Sequence, residues 1–173
     1  MGYFIDPEVV MPSSDDIKNA IFVDPTTGLM NIMGFVSTSF QYEDNYRLNK
    51  EDYAMITLKI PAYEQIEEIH GKDVAEEMMS LVVEKLRHHF KSEAAISRIG
   101  SWHFAIIEKK VSQQEIKERM EACVQDIMNI RYIGNHRCTL YVDYKIVLGS
   151  QEENHLSNLN LINLDMLVQS TND

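Results

Sequence analysis

From Tyr53 to Ile60 the chain alternates: Ala54, Ile56, Leu58 and Ile60 fall on one side, Tyr53, Met55, Thr57 and Lys59 on the other. A period of two predicts a strand. Pro61 ends it and suits the first turn of a helix. Tyr63 to Ile69 then predicts a short helix, Gly71 a break, and Asp73 to Phe90 a longer helix striped by Val74, Met78, Leu81, Val82, Leu86 and Phe90. Two apolar runs, Ala94 to Ile99 and Trp102 to Ile107, flank Gly100-Ser101. That pattern predicts a hairpin, with Gly100 supplying positive φ at the first turn position. Ser112-Gln113-Gln114-Glu115 is a capping box that opens a helix to about Arg131, with Gly134-Asn135 as its stop. Alternation returns from Arg137 to Leu148 as one long strand, and Asn154 to Val168 predicts a last helix.

Upstream, Pro25 and Gly28 mark a turn. A helix follows from about Asn31, with Ile32, Phe35, Val36 and Phe40 at helical spacing; the polar stretch Gln41 to Glu51 predicts a loop. Pro7, Pro12 and Ser13-Ser14-Asp15-Asp16 make residues 1–20 a lead-in or linker before one domain, 21–173. The elements order as β-αα-β-β-α-β, a ferredoxin-like α+β fold: a mostly antiparallel sheet with helices on one face. The alternation implies one apolar side of the sheet and one wetter side.

At 173 residues the chain can bury a sizeable core. A net charge of −11 without a basic stripe excludes a nucleic-acid binder and disfavours anionic lipid. No apolar run is long enough for membrane insertion and no signal peptide is visible. Cys123 and Cys138 fall on inward-facing positions and predict buried thiols in a reducing, cytoplasmic setting. His88-His89 has no cysteine or acid cluster at ligand spacing, so no metal site is expected there.

Two stretches carry a resemblance. Asp24, Thr27, Gly28, Leu29, Asn31 and Phe35 keep the spacing of the Asp-x-Leu-Thr-Gly-Leu-x-Asn-Arg-Arg-x-Phe motif that opens GGDEF domains, the diguanylate cyclases. The hairpin resembles their signature, Arg-hydrophobic-Gly-Gly-Asp/Glu-Glu-Phe: Arg98, Ile99, Gly100 and Phe104 match. The departures matter more. Ser101 replaces the second Gly, and Trp102 and His103 replace the two acids. The resemblance implies a nucleotide cyclase-like fold and cyclic-di-GMP signalling in bacteria.

Two-metal phosphoryl chemistry needs carboxylates, because Mg²⁺ is a hard ion that takes oxygen ligands. The family draws one from the end of the first strand, in Asp-x-Asp-x-Phe-Lys, and one from the hairpin. Here Lys59 stands at the metal-binding Asp, Pro61 at the other Asp, Tyr63 at the aromatic place and Glu64 at the Lys. The guanine-reading Asn and Asp correspond to Glu67 and Glu76; the product-inhibition motif Arg-x-x-Asp is replaced by Ser92-Glu93-Ala94-Ala95. In the closing segment Leu164-Asp165 matches an Ala-Asp, but no Lys or Arg follows Lys145. Losing a metal costs phosphoryl transfer several kcal/mol, and each 1.4 or so is about tenfold in rate.

The expectation is therefore a degenerate GGDEF module, a pseudoenzyme with no catalytic residues, no metal and no cofactor. Its role would be regulatory, dimerising or scaffolding, with a homodimer partner or a neighbouring signalling domain. The alternative is an effector domain that binds GTP or another purine nucleotide without turnover through Lys59, Glu67 and Glu76. Residual activity with altered metal use, and a ferredoxin-like interaction domain with accidental motif matches, are the remaining readings.

Overall fold

A computed structural model describes residues 11, 13–91, 94–109 and 112–151. The elements, in chain order, are α1 (Ser14–Phe22), α2 (Ile32–Asn49), β1 (Tyr53–Lys59), α3 (Ala62–His70), α4 (Lys72–His89), β2 (Ala95–Gly100), β3 (His103–Lys109), α5 (Gln113–Met128), β4 (Tyr132–Ile133), β5 (His136–Arg137) and β6 (Asp143–Leu148). The expected last helix, Asn154 to Val168, and Leu164-Asp165 lie outside the described residues, as do Ser92 and Glu93. Helix α1 runs across residues 20 and 21, where the lead-in meets the domain.

Strands β2-β3-β1-β6 form an antiparallel sheet in that order, which is the α+β arrangement the sequence predicts. On one face, Ala54, Ile56, Leu58, Phe104 and Ile106 meet α4 and α5 through Met78, Val82, Leu86, Met120, Cys123 and Ile127. Each of these side chains is shielded from water, which stabilises by about 1.5–3 kcal/mol for a large aliphatic one. The opposite face is not uniformly wetter. Tyr53, Met55, Ile99, Ala105 and Ile107 pack under Phe35 of α2, so this half is a second apolar layer.

That second layer explains why α2 is longer than expected. The stretch Gln41 to Glu51 is mostly helical, because Tyr42 and Tyr46, one turn apart, lay their rings edge-on to Tyr53 at 5.9 and 6.4 Å. Lys50, at φ 56°, ends the helix in the left-handed conformation. Two further expectations change. Helix α5 opens at Ser112, whose hydroxyl accepts from the Glu115 N–H, but it stops at Met128. Gly134-Asn135 instead turns the small β4–β5 hairpin, with Gly134 at φ 58°. Residues 138–142 keep the alternation, with Cys138 and Leu140 buried, yet the strand paired to β1 begins only at Asp143. Alternating burial needs an extended chain; a ladder also needs a partner strand alongside.

Candidate functional site

The hairpin β2–β3 turns at Ser101-Trp102, not at Gly100-Ser101. The register slips at Ile99, between Arg98 and Gly100, so Gly100 pairs with His103. Gly100 does not have a positive φ. What it supplies is room: a Cβ there would stand 3.0 Å from Nδ1 of His103.

Arg98 is 7% exposed and ties three segments together. Its guanidinium donates to both Glu76 oxygens at 2.7 and 3.0 Å, and to the Ser101 carbonyl at 2.6 and 3.1 Å. It also lies 3.5 Å from Asp24. Tyr63 donates its hydroxyl to Glu76 at 2.8 Å. Asp24 in turn accepts from the Thr27 N–H at 3.0 Å and its hydroxyl at 2.5 Å, shaping the turn before α2. Burial alone would lower the Arg98 pKa, but the hydrogen bonds and charge of Glu76, with Asp24 and Tyr63, raise it above its ordinary value. Burial, then the bond to Glu76, pushes the Tyr63 hydroxyl up as well. Sequence reasoning names Arg98 and Glu76 separately and misses their pairing. Only the Asp24-x-x-Thr27 spacing was a readable signal, as a side-chain-capped turn.

The other half of the motif sits at the ends of β1 and β3. Lys59 and His103 are register partners, and antiparallel partners share a face. Lys59 is exposed, and its other partner across β6 is Asp143. His103 is 4% exposed, with its ring 3.9 Å from that of Trp102 and tilted by 31°. Its Nδ1 is buried with no hydrogen-bond partner. Burial, helped by the Lys59 charge, brings its pKa down to about 4, so the ring is neutral at pH 7. The indole of Trp102 packs against the core, and its carbonyl accepts from the Ile60 N–H at 2.9 Å. An ammonium and an indole offer no oxygen to a hard dication, so the side chains at positions 59 and 102 do not fit Mg²⁺. Among the described residues, no group of three or more His, Cys, Asp or Glu side chains is placed to hold a metal ion.

A cavity of about 630 Å³ opens beside the arginine network, lined by Asp24, Thr26, Lys72, Glu76, Arg98 and Ser101 among others. Of Lys59, Glu67 and Glu76, only Glu76 reaches it. Glu67 is exposed on α3 and Lys59 lies at the strand ends. Phe104, the last letter of the signature, is wholly buried in the main core.

Residues 21–167 match the family model described as "Diguanylate cyclase, GGDEF domain". The chain belongs to the GGDEF family. Solved GGDEF structures share its fold at low identity. The GGDEF domain of DgcB from Caulobacter crescentus, in complex with c-di-GMP, superposes with a TM-score of 0.76 at 12% identity, over 95% of this chain and 94% of that one. The FimX GGDEF domain from Pseudomonas aeruginosa gives 0.71 at 14%, over 87% and 89%. Diguanylate cyclase SiaD from Pseudomonas aeruginosa, in complex with its activator SiaC, gives 0.74 at 14%, over 90% of this chain. This chain spans 60% of the SiaD chain. No curated protein matches it. No helix among the described residues is long and apolar enough to cross a membrane.

Proposed function

We propose that this GGDEF domain is catalytically inactive and serves cyclic-di-GMP-type signalling as a regulatory, dimerising or scaffolding module in the cytoplasm, with residues 1–20 as its lead-in and 21–173 as the functional unit. One observation carries the reading. Where phosphoryl transfer needs carboxylates to hold metal, an exposed ammonium at Lys59 faces a buried, neutral His103 roofed by Trp102. Lys59 repels a dication, and His103 at pH 7 has neither charge nor a free path to substrate. Incubation with GTP and Mg²⁺ or Mn²⁺, followed by chromatography, is expected to give no dinucleotide. Accumulation of cyclic di-GMP would sink the reading.

The cavity at Glu76 favours a second reading, an effector site for GTP or another purine nucleotide without turnover. Lys72 would meet phosphate there, while Glu76 keeps one carboxylate face committed to Arg98 and Tyr63. Calorimetry with GTP, with and without Mg²⁺, separates the two: heat without product supports an effector, and no heat at millimolar GTP leaves the scaffold.

A further inference from the structure

The chain carries 27 acidic residues, yet none falls between Asp126 and Asp143. That stretch holds Arg131, His136 and Arg137 and forms the β4–β5 hairpin with the extended residues after it. A bond from the Cys138 N–H to the Arg131 carbonyl, 2.8 Å, continues the ladder of Tyr132 with Arg137 and Ile133 with His136. Ile133, Cys138 and Leu140 face the core. Arg131, Arg137 and Thr139 are exposed, and Tyr132 and Tyr141 are 60% and 65% exposed. Neither arginine has an ion pair among the described residues.

Directly beside this hairpin lies the end of α3. The rings of His70 and His136 are 4.1 Å apart, tilted by 36°. Helix α3 presents Glu64, Glu67 and Glu68 to solvent, with no Lys or Arg, and these too are unpaired among the described residues. Two patches of opposite sign therefore meet at one ring contact without neutralising each other.

We infer that this is a docking surface for a second copy of the chain. A two-fold axis near the His70–His136 contact would lay the arginines of each copy on the glutamates of the other, because such an operator puts residue i on j and j on i. Exposed tyrosines and arginines are the side chains that fill interface centres. The −11 charge of each copy opposes approach at long range. At physiological salt that repulsion is screened over about 8 Å, while pairs in contact persist. The inference rests on the scaffold reading and gives it a geometry.

Sedimentation of the full chain over a concentration series tests it. A reversible dimer is expected. Arg131→Glu with Arg137→Glu, and separately Glu64→Lys with Glu68→Lys, should each weaken self-association about tenfold or more, with unchanged circular dichroism spectra. Mixing the two variants should restore a dimer, since every reversed charge then meets its opposite. A wild type that stays monomeric at millimolar concentration, dimers that survive both reversals, or a mixture that does not recover would each overturn the surface. The cyclase assay reads independently: a monomer that makes no dinucleotide removes this surface and leaves the loss of catalysis standing. A dimer that makes dinucleotide does the reverse.

Discussion

Two polar centres lie within six residues of each other on one hairpin, on opposite faces of the sheet. At Arg98 every charge has a partner: Glu76 twice, the Ser101 carbonyl twice, and Asp24. At His103 a ring nitrogen is buried with none. The first centre joins the turn before α2, helix α4 and the hairpin tip, so it sets where the tip stands. The second holds the positions where family members carry acids, and its buried ring nitrogen ties no other segment in place. Placing a motif and giving it chemistry are thus separate physical tasks here, performed by neighbouring residues on different faces.

The comparison breaks first at Arg98. Replacing it with Met leaves Glu76 and Asp24 half-buried without their cation, and removing one partner of such a pair costs about 3–5 kcal/mol. Chemical denaturation of Arg98→Met should show a loss of that size; a loss under about 1 kcal/mol would mean the network does not anchor the tip. A smaller effect is expected from acid. The folded state holds His103 near pKa 4, below the ordinary 6.5 of an unfolded chain, so it favours the neutral ring. The stability this contributes is complete above about pH 6.5 and is lost as pH falls from there toward 4, by at most about 3 kcal/mol. Trp102 is the sole tryptophan and stacks on that ring, so its fluorescence reports the change directly. His103→Phe should flatten the acid limb between pH 6.5 and 4 and change stability at pH 7 by only about 1 kcal/mol. An unchanged acid limb would assign the loss to other groups. Smallest is Gly100→Ala, whose added carbon meets Nδ1 of His103 at 3.0 Å. Thermal melts should show a cost of about 1–2 kcal/mol that shrinks in the double variant with His103→Ala. Equal costs in both backgrounds would place the strain elsewhere.

Much of this was readable in order along the chain. The alternation of β1, the Gly71 break between α3 and α4, the Ser112 cap and the two strands of the hairpin appear within a residue or two of where the pattern puts them, because each depends on neighbours a few residues away. The misreadings share one cause. Gln41 to Asn49 looks like a loop until Tyr53 stands beneath Tyr42 and Tyr46. Residues 138–142 look like a strand until β1 proves too short to pair them. Gly100 looks like a turn glycine until the bulge at Ile99 moves the turn by one residue.

The sequence alone determined the α+β topology, the family and the identity of the side chains at positions 59, 102 and 103, since periodicity and residue chemistry are local properties. Only the tertiary structure decided that Glu76 is held by Arg98, 22 residues away, and that His103 is sealed from water. Burial and long-range pairing arise when separate segments pack together, and no local pattern records which segments those are.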